Sequence, residues 1–143
     1  MPLPFSFCGR VEIGAQHDVK GAILKLERAL EILKVKRIDS RGSRIHFTTS
    51  VLRNNLLGPI GSGDLSVQPE GGGLVVIYQL RFTRLLMTVT VMLFGFVGFI
   101  AFNAHLSSAD TVFIFCVFWM WFFGGNVLLA LIRFPRWLRR TLA

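Results

Sequence analysis

Two stretches of this chain, residues 85–102 and 111–132, contain no Asp, Glu, Lys or Arg. That absence excludes a proton relay, ion site or voltage sensor built by these segments alone, because such devices need ionisable side chains in the low-dielectric layer. The second run has 22 residues and reaches roughly 33 Å as a helix, enough for a hydrocarbon core of about 30 Å. The first has 18 and stays uncharged through Ala104. The connecting segment 103–110 lacks basic residues, although the chain holds 16 Lys and Arg in all.

Cysteine is scarce. Cys8 and Cys116 make neither a disulfide framework nor a thiolate metal spacing. Histidine numbers three, His17, His46 and His105, too scattered for one metal. Residues 1–9 lack the basic and apolar regions of a cleavable signal peptide. Nucleophile elbow and paired catalytic acids are missing too. A Ser50, His46 and Asp39 or Asp64 grouping exists only on paper. Gly58 and Gly63 have phosphate-loop spacing, but Asp64 stands where Lys is required and Leu65 where Ser or Thr belongs. The segment reads as a flexible turn, as does Gly71–Gly72–Gly73. The expectation is a non-enzyme without cofactor or metal.

What is present points to a membrane. Apolar residues make up 52% of the chain, with 14 Phe. Two uncharged runs joined by eight residues form an antiparallel transmembrane hairpin, with spans at about 84–103 and 111–132. Twelve basic residues precede the hairpin and four follow it, so both termini belong on the cytoplasmic side. The reading is an integral protein of the plasma membrane, taken as a bacterial inner membrane. The net charge of +8 is explained by this topology beside anionic phospholipid, and nucleic acid is not the expected partner.

Residues 1–82 read as a cytoplasmic α+β domain: one amphipathic helix on an antiparallel sheet. An opening strand carries Phe5, Phe7, Val11 and Ile13, interrupted at Gly9. Asp18 fits an N-cap. From 19 to 34, Val19, Ile23, Leu26, Leu30 and Leu33 step by four and three along one face, widened by Ala22, Leu24 and Ala29. The period then becomes two: Ile45, Phe47, Thr49 and Val51 alternate with Arg44, His46, Thr48 and Ser50. The strand before it is placed at 35–39, across a turn at 40–43. Residues 51–57 read as a short helical or irregular connection. Leu65 and Val67 mark a short strand, 69–73 a turn, and 74–82 a last strand apolar on both sides at Val75 and Ile77.

Within the spans, Thr88, Gly95, Gly98, Gly124, Gly125 and Asn126 are the candidates for helix packing or partner contact. Arg81, Arg84, Arg133, Arg136, Trp137, Arg139 and Arg140 are candidates for headgroup contact. Residues 133–143 read as a basic interfacial tail, with Pro135 breaking it from the span. The expected function is a small accessory subunit of a multi-subunit integral membrane complex, bracing or regulating its partner from the cytoplasm. The alternative is a membrane-tethered binding module for anionic lipid or a soluble ligand.

Overall fold

The computed structural model describes residues 5–14, 18–50 and 57–143. His17 and the connection up to position 56 therefore lie outside the described residues. The chain is mixed α+β, with an antiparallel five-stranded sheet and two long apolar helices at its C-terminal end. In order come β1 (Ser6–Ile13), α1 (Val19–Ile32), β2 (Arg37–Arg41), β3 (Arg44–Thr48), β4 (Ser62–Glu70), β5 (Gly73–Arg81) and α2 (Thr83–Ala104). The last helix, α3, spans Ser108–Leu142 and widens to a π-helical turn at Met120–Gly124.

Sheet order is β1-β5-β4-β3-β2. Strands β2 to β5 form a meander, and α1 carries the chain from β1 on one edge to β2 on the other. Two-residue turns close two of its hairpins: Gly42–Ser43, with Gly42 at φ 61°, and Gly71–Gly72, at φ 59° and 85°. Positive φ, at the first central residue of the Gly42–Ser43 turn and at both in Gly71–Gly72, follows the strand twist, and glycine adopts it without steric cost.

Strand β1 runs through Gly9 without the expected interruption. A Cβ there would lie 2.2 Å from the Tyr78 ring, so the glycine is where that ring crosses the neighbouring strand. Strand β4 is nine residues long, longer than the alternation suggests, because its first part is disguised by glycine. Gly63 is paired sheet, and a Cβ would meet Phe47 Cζ at 2.5 Å. The region read as a flexible turn is thus packed at its C-terminal end. Pro69 sits in β4 beyond the last residue of that strand paired with β3, where its missing N–H removes no ladder bond.

One sheet face is covered. Ile45, Phe47, Leu65, Val67, Val76 and Leu80 point into a core with Ala22, Leu26 and Leu30 of α1. Leu24, expected to widen that stripe, is exposed.

The other cover is the C-terminal part of α3, where the structure departs most from the sequence reading. Pro135 does not end the helix, which continues to Leu142. Phe134 is fully buried, stacked on Phe47 at 6.5 Å and edge-on to Tyr78 at 5.2 Å. Ala130, Leu138 and Leu142 are buried beside it. The apolar seat of these side chains on the sheet outweighs the one backbone bond that proline removes. The stripe Trp119, Phe123, Val127, Ala130, Phe134, Leu138, Leu142 averages about 3.8 residues per turn. An ordinary α-helix at about 3.6 would rotate it off the core, and the wider π turn supplies part of the difference.

Helices α2 and α3 run antiparallel, joined by a turn at 105–107. Ser107 caps α3: its hydroxyl accepts from the Asp110 N–H at 3.2 Å and donates to the Asp110 carboxylate at 2.7 Å. Phe94 against Phe115 (4.8 Å between ring centres), and Trp119 Nε1 donating to Thr90 Oγ1 at 3.1 Å, set the pairing. That pairing leaves Val127, Ala130 and Phe134, beyond the start of α2, to the sheet core. The last third of the run at 111–132 therefore belongs partly to the domain.

Candidate functional site

No helix covers the opposite face of the sheet among the described residues. Register places its side chains in transverse rows. The row next to α2 is Arg37, Thr48, Ser62, Arg81 and Ser6. The second is Asp39, His46, Asp64, Gln79 and Cys8, and the third Arg41, Arg44, Ser66, Ile77 and Arg10.

The second row holds the tightest polar contact. His46 Nδ1 lies 2.6 Å from Asp64 Oδ1, and Arg81 donates to Asp64 Oδ2 at 3.1 Å. Since a carboxylate only accepts, the proton of this contact sits on Nδ1, leaving Nε2 for another group. All three side chains are about two-fifths exposed, so the cluster is wet and its worth to stability is small. His46, which reads from sequence as a solvated residue, is oriented. Ser50, proposed on paper as its partner, makes no hydrogen bond with it among the described residues.

A depression of about 650 Å³ opens on this face between Asp39, Arg41, Arg44, His46, Asp64 and Gln79. Arg41 and Arg44 are direct cross-strand partners, two like charges placed opposite each other. Arg41 reaches Asp39 loosely at 3.6 Å, and Arg44 makes no ion pair among the described residues. Arg10 is already shared between Glu12 and Glu70. No group of three metal-ligating side chains is present among the described residues. Burial pushes the Tyr78 phenol, on the core side, above its ordinary value.

The structure distributes the sequence candidates among three places. Arg81 belongs to the sheet-face cluster, and Arg84 donates to the Thr49 carbonyl at 3.1 Å, tying the start of α2 to the domain. Arg133, Arg136, Arg139 and Arg140 stay on the surface of α3, with Trp137 tilted against Phe134 at 5.5 Å. A Cβ at Gly95, Gly98, Gly124 or Gly125 would meet nothing within 4 Å, so these glycines do not serve close approach within the hairpin. Thr88 and Asn126 turn their donors to backbone carbonyls four residues back, at Arg84 (2.9 Å) and Phe122 (2.6 Å). The Phe122 carbonyl lies in the π turn, where the regular helical ladder is interrupted.

Sequence reasoning missed two groupings: the pairing of His46, Asp64 and Arg81, and the docking of α3. The second had a signal in the spacing of Ala130, Phe134, Leu138 and Leu142; the first depends on a register that sequence does not carry. Comparison with family models, with curated proteins and with solved structures finds no match.

Proposed function

We propose that the protein is a small non-catalytic subunit of a larger integral membrane complex. Its hairpin lies in the bilayer beside a larger subunit. Its sheet domain, with both termini cytoplasmic, braces or regulates that partner at the inner leaflet. The observation that carries this reading is α3 itself. One helix about 52 Å long is apolar and exposed in its first half and seated in the sheet core in its second. With only Phe82 between β5 and α2, hairpin and domain are joined at two points and act as one body. An apolar surface of this extent supports burial in lipid or against a partner's helices. The Arg133, Arg136, Arg139 and Arg140 side chains suit anionic phospholipid or an acidic partner.

Purification in mild detergent from cells expressing the native level, followed by mass spectrometry, tests the proposal. A stoichiometric larger membrane chain is expected; a lone monomer or simple homodimer would overturn it. A second reading, a membrane-tethered binding module, is favoured by one observation: charged side chains converge on the uncovered face of the sheet.

A further inference from the structure

We infer that the depression on the uncovered sheet face is a binding site for a phosphomonoester or pyrophosphate group. Arg41 and Arg44 supply its charge, and His46 Nε2 and the Ser66 hydroxyl complete it. The inference rests on the binding-module reading and names its ligand class. Four observations converge. Arg41 and Arg44 are direct partners across the β2–β3 hairpin, and the one carboxylate paired with either among the described residues is Asp39, at a loose 3.6 Å from Arg41, so the two keep positive charge for an anion to meet. Arg44 has no ion pair among the described residues. Ser66 is the cross-strand partner of Arg44 on its other side. His46 follows Arg44 by two residues on the same face, and Asp64 holds its Nδ1, so Nε2 is the nitrogen left to the ligand.

The chemistry favours phosphate over carboxylate. Two forked guanidinium groups offer more donors than one carboxylate can take, whereas a dianionic phosphoryl group presents three terminal oxygens. Position narrows the source. Ile77, in the Arg44 row, precedes Arg81 by four residues, about 13 Å along the strand from the row that meets α2. A phosphate there belongs to a soluble compound or to a lipid whose headgroup carries phosphate well above the bilayer surface.

The test uses the full chain in nanodiscs and calorimetry. One arm titrates inorganic pyrophosphate into phosphatidylcholine nanodiscs; the second uses nanodiscs containing a phosphatidylinositol phosphate; the third contains phosphatidylserine. Saturable binding in either of the first two arms supports the site and identifies its source. R44Q is expected to weaken it at least tenfold, R44K less, and H46Q by a smaller factor. R28Q, which removes equal charge from the exposed surface of α1, leaves it unchanged. Equal losses in R44Q and R28Q would overturn the inference, as would no saturable binding in the first two arms. Binding to phosphatidylserine alone, lost in R44Q, overturns the phosphate assignment while the binding-module reading stands.

Discussion

The same residue type behaves oppositely in two halves of this molecule. In the sheet domain Phe47, Phe82 and Phe134 are 0% exposed, whereas on the hairpin Phe94 is 66%, Phe99 68% and Phe102 84% exposed. Met87, Val91, Phe113, Met120 and Trp121 share the hairpin's fate. Phe7, on the edge strand β1, is the domain's exception at 42%, but with the others so well buried, poor packing does not account for the bare rings of the hairpin. On the proposed reading each half fits its solvent, water for the sheet domain and hydrocarbon or a partner's helices for the hairpin. The junction is where the two meet. Phe123 packs edge-on to Phe5 at 5.7 Å and against Trp119 at 5.0 Å, with Leu85 buried nearby.

The sharpest way to break the contrast is to truncate one phenylalanine from each half. Phe134→Ala is expected to cost about 3–5 kcal/mol, by loss of burial and by the cavity left between Phe47 and Tyr78. Phe99→Ala should shift stability by less than about 0.5 kcal/mol. Denaturation of both variants in nanodiscs measures the difference, and equal effects would erase the distinction. Next in size is Gly63→Val, whose Cβ collides with the Phe47 ring; overpacking of this kind costs about 1–3 kcal/mol. Phe47→Leu in the same chain should recover part of that loss, which a purely conformational role for the glycine would not allow.

Smaller effects belong to the wet face. Asp64→Asn removes the acceptor charge from both His46 and Arg81, and should cost below about 1 kcal/mol because all three groups are substantially solvated. Its signature is spectroscopic: the His46 ring resonances should shift and broaden as its orientation is released. The smallest effect concerns Tyr78. Burial raises its phenol above the ordinary 10.0, so the folded state holds the proton that the unfolded state gives up. Its contribution is complete below that ordinary value and is lost as pH rises past it. Tyr78→Phe should therefore flatten the alkaline end of the stability profile relative to the parent chain and leave neutral pH little changed.

Much of this architecture is visible in the residue order. The charge-free runs announce the apolar helices, Ile23, Leu26 and Leu30 announce α1, and Ile45 and Phe47 announce the buried side of β3. What stays hidden depends on long-range contact. Gly9 and Gly63 look like interruptions because the rings that lie over them, Tyr78 and Phe47, come from other strands. Pro135 looks like a stop because its cost is local while its compensation, the Phe134 seat, is distant. The arginines at 133, 136, 139 and 140 suggest a lipid-bound tail, and the apolar residues between them are read correctly only once the sheet is in place. Asp64 lies 18 positions from His46 and 17 from Arg81, and the three meet through strand pairing alone.

The claim that most needs a direct measurement is that hairpin and sheet domain occupy different solvents while sharing one helix. Nitroxide labels at positions 24, 99 and 113, introduced after replacing Cys8 and Cys116, can be read in nanodiscs for collision with oxygen and with a water-soluble nickel chelate. At 99 and 113 the account predicts strong oxygen collision and little from nickel, with the reverse at 24, which lies on the exposed side of α1. Free access of the nickel chelate to 99 and 113 would contradict it.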